Sequence, residues 1–449
     1  MKNKEERRTG GQCALCPMKT IVIHATVLTV NQTNQVIYDG AIAFDNGVLT
    51  YVGQTPDKLD AYEEVIDAKG RIVMPGLVNT HGHTAMSLLR GYADDLPLQE
   101  WLETKMWPLE AQFTEEHVRW GTSLSIIEML KTGTTTFVDM YDHMDMVAEL
   151  VTASGMRARL CRGVIGLCSA EEQTKKLEEA SAFAAKWNGT ANGRIMTMMS
   201  PHGAYTCPPD YIERIVARAH ELDLPVHIHM SETEWEVQQN VDDYGARPVA
   251  HLEKLGVFNR PTLVAHAVHL TDEELDILAK YDVKVSHNPI SNLKLGSGIA
   301  RVPDMMERGI CVSLGTDSSA SNNNLDLFEE MRMVALLHKG HRQNPVLVPA
   351  SEALRMATIY GAEAIFMDEQ IGSLEVGKQA DFIMLNSHDV YFQPANDPIS
   401  HVVYSASGRD VTDVYVQGVQ LVKDGKCLTM EEETVIENAN RMFELLEKK

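Results

Sequence analysis

Several short stretches of this chain carry histidine or aspartate at spacings that suit a metal ion. In His81-Gly82-His83 the two imidazoles stand at i and i+2. On a strand those positions share a face, so both rings can reach one ion. Gly82 between them removes bulk and lets the backbone bend. His227-Ile228-His229 repeats the spacing, with one of the pair available for a supporting or packing role. His266 adds a further imidazole and Asp317 an anionic oxygen. Three histidines and one carboxylate suit zinc, iron or another borderline divalent ion. A single HxH is a weak signal. Two of them together with His266 and Asp317, each ending an apolar run, are not explained by packing, because charged and strongly polar residues are rarely buried without a partner.

The runs that end in these residues define the elements that must position them. Strand-like segments are predicted at 72–81, 134–140, 157–166, 194–202, 224–232, 262–269, 283–291 and 311–319, eight in all. Helix-like stretches fall between them, such as PPDYIERIVARAHELD at 208–223, which opens on prolines and carries apolar residues three and four apart. This alternation is the signature of βα units and a parallel sheet. The expected fold class is α/β, a (β/α)8 TIM-like barrel over 75–369, whose C-terminal strand ends converge on one mouth. An open doubly wound sheet is the alternative, and no GxGxxG stretch supports it. Both ends of the chain read differently. Residues 18–74 and 370–428 show alternating β-branched strands with Asp39-Gly40, Asn46-Gly47, Gly418 and Gly425 as turn signals, which predicts one small discontinuous β-sandwich domain. Residues 429–449 predict a C-terminal helix, and residues 1–17 a flexible extension. Within that extension Cys13 and Cys16 form a lone CxxC without a second ligand pair nearby, which does not define a metal site.

Composition bounds the partners. The net charge of −23 argues against nucleic acid and anionic membranes, since phosphate binding needs a basic surface. No apolar run reaches the roughly 20 residues of a spanning helix, and the charged N-terminus lacks the apolar stretch of a signal peptide. Seven cysteines without regular spacing read as reduced thiols. The expectation is a cytoplasmic enzyme with a small-molecule substrate, as a monomer or homo-oligomer.

PGLVNTHGH, followed in order by HIHMSE, AHAVHL and GTDSS, resembles the amidohydrolase superfamily. TAMSLLRGYADDLPLQEWL, WPLE, SPHGAYTCPPD and the closing GSLEVGKQADFIML resemble its 5′-methylthioadenosine/S-adenosylhomocysteine deaminases, from roughly Met18 to Lys426. The resemblance implies His81, His83, His229 and Asp317 as ligands of one divalent ion, zinc first, with Fe2+ or another ion as alternatives. It implies Glu232 as a proton carrier, His266 as the histidine beside the attacking water, and Glu110, Arg162 and His202 as nucleoside contacts, with Glu232 and Asp317 also touching substrate. Two departures stand out: Gly82 where the family more often has threonine, and Gly203-Ala204 where it has Ala-Pro. The fourth predicted strand ends in SPH and not in the lysine of two-metal relatives, which implies a single ion.

The chemistry these parts allow is hydrolytic deamination of an adenine nucleoside (5′-methylthioadenosine, S-adenosylhomocysteine or adenosine). A divalent ion makes water nucleophilic near neutral pH. His266 and Asp317 would orient that water and take its proton, Glu232 would protonate a purine ring nitrogen, and Asp317 would pass a proton to the leaving amine. Glu110 suits two ribose hydroxyls, because a carboxylate accepts several hydrogen bonds. Arg162 suits either a tail carboxylate or the ribose end. The rival readings are deamination of guanine or cytosine, dechlorination of a triazine, and a non-enzymatic metabolite-binding protein.

Overall fold

The computed structural model describes residues 19–447; the CxxC of Cys13 and Cys16 lies outside them. Eight parallel strands form the central barrel. Leu77–Asn79, Thr134–Tyr141, Arg157–Val164 and the broken strand Ile195–Thr197 with Ser200–Pro201 make one half. Val226–Met230, Thr262–His266, Lys284–His287 and Val312–Leu314 make the other. These are numbered barrel strands 1 to 8. Two seams close the ring. The Met199 carbonyl accepts the His227 N–H at 3.0 Å between strands 4 and 5, and the Leu314 carbonyl accepts the Thr80 N–H at 3.0 Å between strands 8 and 1. All eight strands are buried almost throughout, as expected of a parallel sheet covered by helices.

The helices between the strands start and stop on local signals. Pro209–Glu221 carries proline in its first turn, and Asp272–Lys280 begins on a capping box of Thr271 and Glu274. Met144–Ser154 and Glu234–Tyr244 end on Gly155 and Gly245, both left-handed.

The two ends of the chain share one nine-stranded sheet. Its first strand, Thr20–Leu28, pairs with Val36–Asp45 along one edge and changes partner on the other. Thr20–Ile23 run beside Glu64–Asp67, whereas Thr26 and Val27 run beside Ile72 and Val73. Between the halves His24 sits at φ 53° and the register slips. This bulge moves the inward face from Val22 to Ala25 and Val27, so the sheet folds around a core with Ile42, Phe44, Phe382 and Met384.

One predicted strand divides. Residues 72–81 do not form a single barrel strand, because Ile72–Pro75 pairs antiparallel with Phe382–Leu385 in the end sheet and only Leu77–Asn79 enters the barrel. Gly76 stands at the transfer, where a Cβ would lie 2.1 Å from the Thr135 hydroxyl, too close for any other residue. A buried pair ties barrel and sheet together. Arg157 Nε donates to Asp381 Oδ2 at 2.8 Å, and Asp381 Oδ1 also accepts the Gln417 N–H. The C-terminal helix Glu432–Glu447 lies over the segment after barrel strand 1, burying Ala439 and Met442 against Leu88 and Leu446 against Trp101 and Leu109. Among the described residues no helix is long and apolar enough to cross a membrane.

Candidate active site

The barrel mouth brings together the histidines and the aspartate singled out in the sequence. His81 and His83 follow strand 1, His229 lies in strand 5, His266 ends strand 6 and Asp317 follows strand 8. Ligand atoms of His81, His83 and Asp317 lie within 4.8 Å of one another, as do those of His81, His229 and His266. His266 and Asp317 hold φ values of 74° and 59°, a conformation that costs on the order of 1–3 kcal/mol per residue and that clusters at functional sites. The backbone therefore turns sharply to aim these side chains inward.

The outer hydrogen bonds decide which ring nitrogens face the centre. His83 Nδ1 lies 2.7 Å from the Met140 carbonyl and His229 Nδ1 lies 2.7 Å from the His202 carbonyl. A carbonyl only accepts, so both Nδ1 atoms carry the proton. His81 reaches the same state through a relay. His227 Nδ1 donates to the Leu263 carbonyl at 2.9 Å, which leaves His227 Nε2 as the acceptor for His81 Nδ1, also 2.9 Å away. His227 is thus the supporting member of its HxH pair. Burial pulls His81 and His229 well below the ordinary histidine range and His227 to about 4, so all three rings are neutral at pH 7.

The consequence is that three Nε2 atoms and one carboxylate oxygen turn to the centre. His83 Nε2 and His229 Nε2 face each other at 3.3 Å. The Asp317 Oδ1 stands 3.4 Å from His83 Nε2 and 3.5 Å from His81 Nε2, and the latter nitrogen has no hydrogen-bond partner among the described residues. Ser291 and Ser321 hydroxyls donate to the other aspartate oxygen at 2.7 and 2.9 Å, which orients Oδ1 toward the rings. The neutral His81 and His229 rings present bare lone pairs beside the carboxylate oxygen, and these repel one another unless a cation lies between them. This donor set fits a borderline divalent ion.

Glu232 and His266 stand beside this cluster, with Glu232 Oε2 3.6 Å from His266 Nε2 and Oε1 accepting from the Ser297 hydroxyl at 3.3 Å. Burial raises the Glu232 carboxyl above its ordinary range. The His266 ring is raised despite its burial, because the Glu232 and Asp317 carboxylates favour its charged form, while Nδ1 meets Asn292 Oδ1 at 2.8 Å.

A cavity of about 490 Å³ opens above these residues. Glu110, Arg162 and His202 all line it, together with His83, His229, Glu232, His266 and Asp317. The segment after strand 1 folds back over the mouth as short helical turns from Leu98 to Glu110. Trp101 anchors it, buried beside Met86, Leu89 and Leu295, with its indole N–H on the Ala93 carbonyl at 3.0 Å. Asp94 helps shape the same segment through an ion pair with Lys294 at 2.6 Å. Glu110 ends these turns and accepts the Tyr141 hydroxyl at 2.5 Å. Arg162 lines the far side but is also paired, with Glu179 at 3.0 Å and Asp142 at 3.3 Å. His202 rests its Nδ1 on the Thr206 hydroxyl at 3.0 Å. At Gly82 an added Cβ would meet nothing closer than 3.5 Å, so the departure from threonine there is not forced by space. Sequence reasoning missed Tyr141, Ser291, Asn292 and Ser321. Of these, Tyr141 ends barrel strand 2, which runs one residue past the predicted 134–140, and so points to the mouth; Ser291 closes the predicted segment 283–291.

The barrel with its end sheet, and the histidine–aspartate cluster at the strand ends, define a class: the chain belongs to the amidohydrolase family, which residues 72–421 match. It is a hydrolase acting on C–N bonds. More particularly, it is 50% identical over 433 residues to the 5-methylthioadenosine/S-adenosylhomocysteine deaminase of Halalkalibacterium halodurans, covering 95% of this chain and 98% of that protein. The deaminase of the same name from Shouchella clausii is 48% identical over 434 residues, covering 96% and 100%. An adenosine deaminase from Xanthomonas campestris, solved with bound zinc, superimposes with a TM-score of 0.91 at 34% identity, covering 97% and 100%.

Proposed function

We propose that this chain is a metal-dependent deaminase of 5′-substituted adenosines, taking 5′-methylthioadenosine, S-adenosylhomocysteine and adenosine to the inosine analogues and ammonia. The observation that carries the reading is the convergence of His81, His83, His229 and Asp317 at the base of the cavity that Glu232 and Glu110 also line. Those four residues would hold one divalent ion, zinc first among the borderline ions that three imidazoles and a carboxylate suit. Bound there, it supplies the Lewis acidity that makes water a nucleophile near pH 7.

The chain's own residues do the rest. Glu232, raised by burial, carries a proton to the purine ring nitrogen and so makes the adjacent amino-bearing carbon electrophilic. His266 orients the attacking water, and Asp317 Oδ1 takes its first proton. That proton passes to the amine as the C–N bond breaks, and the remaining hydroxyl proton returns to Glu232 as the carbonyl forms. Glu110 accepts the ribose hydroxyls, with Tyr141 fixing one of its oxygens. His202 and Arg162 bind the nucleoside, Arg162 at the 5′ side where Asp142 and Lys176 also line the cavity.

Ammonia release across 5′-methylthioadenosine, S-adenosylhomocysteine, adenosine, guanine and cytosine tests the reading. The nucleosides are turned over and the free bases are not. Turnover of guanine or cytosine with none of the nucleosides overturns it.

A further inference from the structure

Glu232 follows an unusual piece of backbone. Ser231, the residue before it, sits in the left-handed region at φ 53°. For a residue with a side chain this conformation persists only when its surroundings hold it there. The Glu232 side chain supplies little of that hold, since its own contacts are long: 3.3 Å to Ser297 and 3.6 Å to His266. The turn itself must set where the carboxyl points.

Glu236 holds the turn. Its carboxylate is almost fully buried, at 2% exposure, and both oxygens are spent on backbone: Oε1 accepts the Ser231 N–H at 2.9 Å and Oε2 accepts the Glu232 N–H at 2.7 Å. From the other side the Ser231 carbonyl accepts the Val268 and His269 N–H groups at 3.0 Å each, which ties the turn to the loop that leaves His266. Glu236 is the third residue of the helix Glu234–Tyr244, capped by Thr233, whose hydroxyl accepts the Glu236 N–H at 3.1 Å. A glutamate there ordinarily reaches back to the N–H of the capping residue. The same chain shows that ordinary case at Thr271 and Glu274, where Glu274 accepts the Thr271 N–H at 2.9 Å. Glu236 reaches past its own cap to the two residues before it. Helix capping would not require that reach; holding Glu232 does.

We propose that Glu236 is a positioning residue for Glu232, its carboxylate clamping the left-handed Ser231–Glu232 turn that aims the Glu232 carboxyl into the cavity. The proposal rests on the proton-carrying role of Glu232 given above. Glu236→Gln keeps size and shape but turns one acceptor oxygen into an N–H2 facing a backbone N–H. A misplacement of about 1 Å at a reacting group can cost on the order of 10²-fold in rate. In the metal-loaded full-length enzyme, Glu236→Gln therefore lowers kcat about 10- to 100-fold, with KM within about threefold and metal content unchanged. Glu236→Asp, which reaches only one of the two N–H groups, falls between it and wild type and serves if the glutamine variant does not fold. Glu274→Gln, the ordinary cap, leaves kcat unchanged.

The deciding measurement is the cycle with Glu232→Gln. Residues that act through one another give non-additive effects, so in the Glu232→Gln background Glu236→Gln adds little further loss. A wild-type kcat in Glu236→Gln and Glu236→Asp overturns the proposal, and so does a double variant that shows both losses multiplied in full. A Glu232→Gln enzyme with unchanged kcat refutes the role of Glu232 itself, a failure distinct from either of these.

Discussion

Glu110→Ala is the perturbation that most directly separates a nucleoside site from a free-base site. Glu110 is half-buried at the end of the turns that fold over the barrel mouth, and one of its oxygens accepts the Tyr141 hydroxyl at 2.5 Å. A carboxylate offers about four lone-pair positions, so the tyrosine leaves capacity for both ribose hydroxyls. A hydrogen bond to a charged group contributes about 1.5–3 kcal/mol. Losing two of them costs about 3–6 kcal/mol, or roughly 10²- to 10⁴-fold in kcat/KM. The assay compares ammonia release from adenosine with release from 2′,3′-dideoxyadenosine, in wild type and variant. The dideoxynucleoside lacks the 2′ and 3′ hydroxyls that Glu110 would accept from, so its kcat/KM falls by less than about tenfold, the size of one hydrogen bond. Bound metal is unchanged, because Glu110 is not among the groups that converge on the ion. Tyr141→Phe shifts the two substrates in the same order by a smaller factor, since the carboxylate remains but loses one of its anchors. Equal losses for both nucleosides would show that Glu110 shapes the mouth without touching the sugar. No loss for either would refute the nucleoside reading of this residue.

Three other outcomes follow from the geometry. His83→Ala and His229→Ala abolish turnover and bound metal with little change in the unfolding midpoint, because stability rests on the buried barrel below; full metal content with near-normal turnover in either would show that the donor set is wrong. Burial lifts the Glu330 carboxyl to about 8, with Asn322 Nδ2 donating to it at 2.6 Å. The folded state therefore holds a proton that the unfolded chain releases near its ordinary pKa of 4.5, and stability from this group is lost as pH rises from that value through about 8. Glu330→Gln flattens the fall in melting temperature between pH 5 and pH 8 relative to wild type, and parallel curves would refute the shift. Asp381→Ala leaves the Arg157 guanidinium buried without its partner and costs about 3–5 kcal/mol in denaturant unfolding; a loss below about 1 kcal/mol, the size of a surface pair, would show that water reaches it.

Much of the site was legible because its signals are local. Two histidines at i and i+2 share a face of any strand, and a polar residue closing an apolar run in a βα repeat stands at the barrel mouth whatever the rest of the chain does. That reasoning brought His81, His83, the His227–His229 pair, His266 and Asp317 to one mouth, whereas Glu110, Arg162 and His202 were named as nucleoside contacts by the family resemblance and not by any local pattern. The end segments were legible as strands for the same reason, since alternation along a strand needs no knowledge of its partner.

Tertiary structure decided what depends on two elements meeting. His227 and His229 are indistinguishable by spacing, yet the barrel sets His227 one layer deeper, where it accepts from His81 and donates to Leu263, and leaves His229 with a bare Nε2 at the centre. Which nitrogen of each ring keeps its proton follows from carbonyls on neighbouring strands, and no periodicity encodes that. The same holds for Tyr141 on Glu110, for Ser291 and Ser321 on Asp317, and for Arg157 on Asp381, 224 residues away. Even the run 72–81, read as one strand, is divided between two sheets at Gly76, because only there does the packing of Thr135 exclude a side chain. Sequence alone determined the kinds of residue that stand at the barrel mouth, since side-chain direction along a strand is a local property. The fold determined which lone pairs and protons face one another there, because hydrogen bonds between strands exist only once the barrel has closed.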